Sequence, residues 1–150
     1  MAKTPRTVAI LLFVSGGILM AAGVVTYVIV GNELSDEHIT VAEDADHFAG
    51  DDVDGPFTAY SQASIIQKHA LEIGGGKTYA ELPRDDPSRD TVMDASFLRA
   101  SLFTSVVAFG VAVLAVGLGL LFVLVGLAVL ALDRRTAVAV VRTDTVPTAA

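Results

Sequence analysis

The side chains with the most chemical reach in this sequence lie in one acidic stretch, and their spacing decides what they can do. His38, His47 and His69 stand near Glu37, Asp44, Asp46 and Glu72. Two imidazoles and a carboxylate would suit non-haem iron, and the same donors suit zinc. No pair among them has a metal-ligand spacing within one element, so they read as solvated histidines. Gly76-Lys77-Thr78 has the ending of a phosphate-binding loop. That motif needs a glycine five residues before Gly76, where Leu71 stands, and it should follow a strand, so the triplet reads as part of a helix stop. Asp52, Asp54 and Gly55 resemble part of a calcium loop, but its first and twelfth ligand positions would fall on Gly50 and Ser61. The helix-loop-helix calcium site is thereby excluded, while looser cation binding by the acidic cluster stays open. Neither Gly-x-Ser-x-Gly nor His-Glu-x-x-His occurs.

The elements that must position these residues are set by two uncharged runs. Ala100 to Leu132 is thirty-three residues without a charge, ending at Asp133-Arg134-Arg135. As a helix at ~1.5 Å per residue it would be ~50 Å long, against ~30 Å for the hydrocarbon core of a bilayer. A second uncharged run extends from Thr7 to Asn32 behind the basic lead Lys3 and Arg6. A cleavable signal peptide has an apolar region of only ~7–15 residues followed by a small-x-small site. This run is longer and passes through Tyr27-Val28-Ile29-Val30, which argues for a retained span.

Charge is segregated by these runs. Asn32 to Arg99 carries fifteen Asp or Glu against five Lys or Arg, a net of −10, while the two flanks together carry +3. An acidic segment is a poor surface for nucleic acid, whose phosphates require a basic one. Cysteine is absent, which excludes a disulfide framework, thiolate metal sites and thiol catalysis. Lys3 and Arg6 precede the first run, whereas Glu33, Asp36, Glu37 and Glu43 follow it and no Lys or Arg appears until Lys68. By the positive-inside rule the first span enters from the cytoplasm, the acidic loop lies outside and both termini lie inside.

In lipid, helices approach through small residues. Ser101, Ser105, Ala108, Ala112, Ala115 and Gly119, with Gly126 beyond, form a stripe at spacings of three and four along the second span. Ala9, Gly16 and Gly23 recur at sevens on the first, beside the pair Gly17 and Ala21. The expected packing set is Ala9, Gly16, Gly23, Ser105, Ala108, Ala112, Ala115, Gly119 and Gly126, facing the chain's own other helix or another protein. Between the spans, His38 to Val41 is a β-branched run with the character of a short strand, and residues 44–56 are turn-rich. Ala59, Ala63, Ile66, Ala70 and Ile73 mark one face of a helix over about 58–73, stopped by Gly74-Gly75-Gly76. Asp86-Pro87 opens a helix that presents Met93, Phe97 and Ala100 and continues into the membrane as a post for the loop.

The words Gly55-Pro56-Phe57-Thr58-Ala59-Tyr60-Ser61-Gln62-Ala63, Lys68-His69-Ala70-Leu71, Gly75-Gly76-Lys77-Thr78-Tyr79-Ala80-Glu81-Leu82, Arg89-Asp90-Thr91-Val92-Met93 and Ala95-Ser96-Phe97-Leu98-Arg99-Ala100-Ser101-Leu102-Phe103 lie in the second half of the loop and the start of the second run. With the second span, they resemble a group of small two-span membrane proteins of actinobacteria, many of which carry the label of aromatic ring-opening dioxygenase. The ring-opening enzymes are soluble assemblies around a non-haem iron, and no residue pattern above reproduces that site. No functional residue is carried over.

The expectation is therefore an all-α membrane protein: a two-helix transmembrane hairpin with a small, mostly helical, acidic extracytoplasmic cap. Its parts are a cytoplasmic lead over 1–6, spans over 7–31 and 100–132, the cap over 32–99 and a flexible basic tail over 133–150. The implied role is a non-enzymatic accessory or scaffolding subunit in the plasma membrane, without cofactor, whose partners are the bilayer, other membrane subunits or a second copy. A metal-dependent enzyme on His38, His47 and His69, or a cation or pH sensor on Asp44 to Asp54, are the alternatives.

Overall fold

An uncharged run with no water to bond its backbone has one local solution, the α-helix, which pairs every interior N–H and C=O within the segment. The computed structural model describes residues 4–144. Both uncharged runs lie in long helices, α1 (Thr4–Asp36) and α3 (Arg89–Asp144), with α2 (Pro56–Ile73) between them. α1 and α3 are long and apolar enough to cross a membrane. The tail expected to be flexible from 133 is helical as far as Asp144, and residues 145–150 lie outside the described ones, as do residues 1–3 of the basic lead. The chain divides into two compact units, one made of residues up to Val24 with those from Leu114, the other of Val25–Val113.

In the first unit, α1 and α3 run antiparallel and meet backbone to backbone. A Cβ built on Gly16 would lie 2.6 Å from the Gly119 carbonyl oxygen, and one built on Gly119 would lie 2.6 Å from the Gly16 oxygen and from Met20 Cγ. At Gly126 the neighbour is the Phe13 ring, 2.9 Å from such a Cβ. Only glycine permits approaches this close.

The second unit is built around a β-branched pair that the helices enclose. Val41 and Val53 are buried with Leu34 of α1, Ala59 and Ala63 of α2, and Leu102 and Phe109 of α3. The run from His38 to Val41 forms a single antiparallel bridge, Thr40 with Asp52, and among the described residues there is no strand. Val41 N–H donates to the Asp51 carbonyl and Val53 N–H to that of Ile39, so the pairing stops as soon as the two valines are inside.

α2 begins at Pro56 because proline is suited to the first turn, and the Gly55 N–H is held by the Thr58 hydroxyl at 3.2 Å. It ends in the glycine run: Gly76 N–H donates to Leu71 and Gly75 N–H to Glu72, with Gly75 and Gly76 at φ +61° and +82°. Its buried positions are Ala59, Ala63 and Ile65. Ile73, expected on the packed face, is half exposed, because α2 is covered by two neighbours, the helices and the 42–48 loop, and Ile65 turns toward the second. On α3, Val92, Leu102 and Phe109 are buried and Phe97 is exposed, so the inward face is offset from the expected Met93, Phe97 and Ala100. α3 starts at Arg89, two residues later than expected. Asp86 accepts from the Ser88 N–H and hydroxyl at 2.9 and 2.6 Å, holding a turn ahead of the helix.

Candidate functional site

The residues expected to pack are distributed over both units. Ala9, Gly16, Gly23, Ala112, Gly119 and Gly126 are buried. Gly16 and Gly119 are brought into direct contact, while Gly126 faces Phe13 rather than a small residue. Ser105, Ala108 and Ala115 are half-buried. Ser105 and Ala108 border an open groove of about 300 Å³ that Glu33 and Glu37 also line. Gly17 and Ala21 are exposed, and a Cβ on Gly17 would meet nothing. The large side chains Leu102 and Phe109 occupy buried positions that a stripe of small residues does not anticipate, and Phe109 packs on Tyr27 with ring centroids 4.7 Å apart.

The three histidines are not gathered at one point. His38, at φ +51°, lines a small polar cavity of about 150 Å³ with Ser35, Asp52 and Asp54. His47 offers its carbonyl to the Ser61 hydroxyl at 2.6 Å. His69 Nε2–H donates to Asp44 Oδ2 at 2.8 Å, and Lys68 Nζ approaches the same oxygen at 3.8 Å. The hydrogen bond from His69 is the main cause that holds the Asp44 carboxyl below its ordinary value, with the His69 and Lys68 charges adding to it. Among the described residues no group of three or more His, Asp and Glu side chains could hold a metal ion.

These contacts make a clasp. Asp44 on His69, the Ser61 hydroxyl on His47 O and the Ala42 N–H on Gln62 Oε1 at 3.0 Å fasten the 42–48 loop along α2. The linker after α2 is fastened in the same way. Thr78 donates its N–H and hydroxyl to Glu81 Oε2, both at 2.8 Å, which lowers the Glu81 carboxyl. Arg89 donates to the carbonyls of Tyr79 and Leu82, and its guanidinium lies 4.2 Å above the Tyr79 ring. Lys77 and Thr78 therefore serve as linker, and sequence spacing alone showed nothing of Gln62, Ser61 or Arg89, whose partners are remote in the chain or main-chain atoms.

One face of α2 remains uncovered. Between it and the clasp loop lies a cavity of about 380 Å³ with Phe48, Phe57, Tyr60 and Ile65 among its walls, together with His47 and Lys68. Tyr60 meets Phe103 edge to face at 5.7 Å, and the Arg99 guanidinium lies 5.1 Å from the centre of the same ring. Phe57 is 74% exposed. Comparison with protein-family models, with curated proteins and with solved structures finds no match to this chain.

Proposed function

We propose that this chain is a non-enzymatic integral membrane protein of the plasma membrane, an accessory or scaffolding subunit of a larger assembly. α1 and α3 form a transmembrane hairpin, N- and C-termini cytoplasmic, and the acidic segment forms an extracytoplasmic cap. The observation that carries this reading is the backbone contact of Gly16 with Gly119 inside two runs that are free of charge from Thr7 to Asn32 and from Ala100 to Leu132. Close approach through glycine is how helices associate where the solvent is itself apolar. A span without ionisable groups lacks the polar path that transport needs. The cap suits presentation, because Leu34, Leu102 and Phe109 lend it the apolar core that its own acidic composition is short of.

Purification of the tagged full chain from its native membrane in mild detergent, with mass spectrometry and metal analysis of one sample, tests this. Partner subunits present at fixed stoichiometry are expected. Stoichiometric iron that disappears on replacing His38, His47 and His69 would overturn the reading in favour of a metal-dependent enzyme. Protease protection in sealed inside-out vesicles adds the orientation: the 32–99 segment is expected to be shielded, and its cleavage there would reverse the topology.

A further inference from the structure

The uncovered aromatic face of the cap sits close to where the uncharged run of α1 ends. Asp54 O lies 3.3 Å from the Cβ position of Gly31, one residue before Asn32, the last residue of that run. Phe57 follows Asp54 by three residues, and three residues of chain reach at most ~11 Å. Tyr60 touches Phe103, which belongs to the uncharged run of α3. Phe57 and Tyr60 are therefore held near the level at which both long helices change from uncharged to charged sequence. The headgroup layer on each side of a bilayer is itself ~5–8 Å thick, so this level falls in or beside it.

What these residues expose is unusual for a water-facing surface. Phe57 is 74% exposed, Tyr60 55% and Phe48 46%. Phe48 is also held at φ +59°, a left-handed backbone that a bulky residue rarely adopts, in a turn closed by the Asp51 N–H on its carbonyl. A strained backbone whose ring is then left half in solvent points to a use for the ring outside the fold. Aromatic side chains concentrate at membrane interfaces, where an apolar body and a wet edge are both accommodated.

We propose that Phe48, Phe57 and Tyr60 form a lipid-docking surface that settles into the outer leaflet beside the spans, with the 380 Å³ cavity between them open to acyl chains. The lipid leaflet is the occupant because Tyr60 packs on Phe103, one helical turn before the exposed Val107 within the uncharged run of α3. Charge does not select the lipid. Lys68 is paired with Asp44, and Asp46 lines the same cavity, so a zwitterionic leaflet is sufficient. The proposal rests on the membrane-spanning reading above, and its test separates the two.

The chain has no tryptophan, so a single introduced one reports alone. Full-length Phe57→Trp, Phe48→Trp, Ile18→Trp and Ile73→Trp proteins are reconstituted in phosphatidylcholine vesicles, with or without bromine on the acyl chains. Ile18 is exposed on α1 within its uncharged run, and Ile73 is exposed at the far end of α2. Bromolipid is expected to quench the probes at 18, 57 and 48 and to spare the one at 73. Quenching at 18 without quenching at 57 and 48 overturns the docking surface alone. Shielding of 57 and 48 from aqueous iodide without bromolipid quenching also overturns it and assigns the face to a protein contact. Absence of quenching at 18 overturns the spanning reading, and the docking surface with it.

Discussion

Replacing Gly119 by alanine isolates the contact on which the packing of α1 and α3 depends. The new Cβ would lie 2.6 Å from the Gly16 carbonyl oxygen and 2.6 and 2.9 Å from Met20 Cγ and N. Carbon atoms rest at ~3.5–4.0 Å from their neighbours, so the backbones must part by ~1 Å at this point. Two of the three obstructing atoms are main chain and cannot rotate away. Overpacking of this kind costs ~1–3 kcal/mol. Alanine also improves the helix itself by ~0.5–1 kcal/mol over glycine, which masks part of the loss. Gly117→Ala removes that ambiguity: it lies two positions away on the same helix, and its Cβ would meet nothing within 4 Å. Reversible unfolding of the full chain in mixed micelles, driven by increasing dodecyl sulfate, should therefore separate the two variants. The difference expected is ~1–3 kcal/mol, or ~5–150-fold in the packed-to-open ratio, with Gly119→Ala the weaker. Equal midpoints for Gly117→Ala and Gly119→Ala would refute the reasoning, because helix propensity is common to both and only the contact differs.

Three further outcomes follow from the 32–99 segment. Asp44, Glu81 and Asp86 are each held below their ordinary values of 3.8, 4.5 and 3.8, chiefly by the His69 hydrogen bond, by the Thr78 backbone hydrogen bond and by the Ser88 hydroxyl. The unfolded state then binds protons first as pH falls, so this stabilisation is complete above those values and is lost below them. As pH is lowered from about 5, hydrogen-exchange protection over 42–48 and 78–89 should fall, with the loss setting in below about pH 4. Val53→Ala removes two carbons from a side chain that is 1% exposed and should cost ~2–3 kcal/mol, seen as a lower denaturation midpoint for the 32–99 segment. Arg89→Lys should cost ~1–2 kcal/mol by the same measurement, since an ammonium cannot bond the Tyr79 and Leu82 carbonyls and lie flat on the Tyr79 ring together.

The 32–99 segment depends on the long helices for more than attachment. Of its buried apolar side chains, Val41 and Val53 come from the loop, while Leu34, Leu102 and Phe109 belong to α1 and α3. The clasp on α2 is polar and exposed at Asp44, Lys68 and His69, so its charged members contribute little to stability on their own and act mainly to set the register of the 42–48 loop. In a segment with net charge −10, the long helices add apolar packing to its own Val41, Val53, Ala59 and Ala63, and hydrogen bonds to α2 select one loop path.

The sequence by itself determined the helical class of the long runs and the approximate position of α2. In lipid, an uncharged run longer than a bilayer is thick would satisfy its own backbone as a helix, and Ala59, Ala63 and Gly74 to Gly76 mark the face and the stop of α2 by local rules. Ala9, Gly16 and Gly23, at sevens, share one side of α1 and are buried there. What those residues meet was decided only by the tertiary structure. Gly119 lies against the Gly16 backbone, yet Gly126 lies against Phe13, and Leu102 and Phe109, outside the small-residue stripe, are buried as well. The same holds for the inward faces of α2 and α3, since Ile65 is buried and Ile73 and Phe97 are exposed only because of where the 42–48 loop and α2 come to rest. Periodicity fixes which residues share a face, but the neighbour that covers that face is set by contacts between residues far apart in the chain, and no local pattern encodes them.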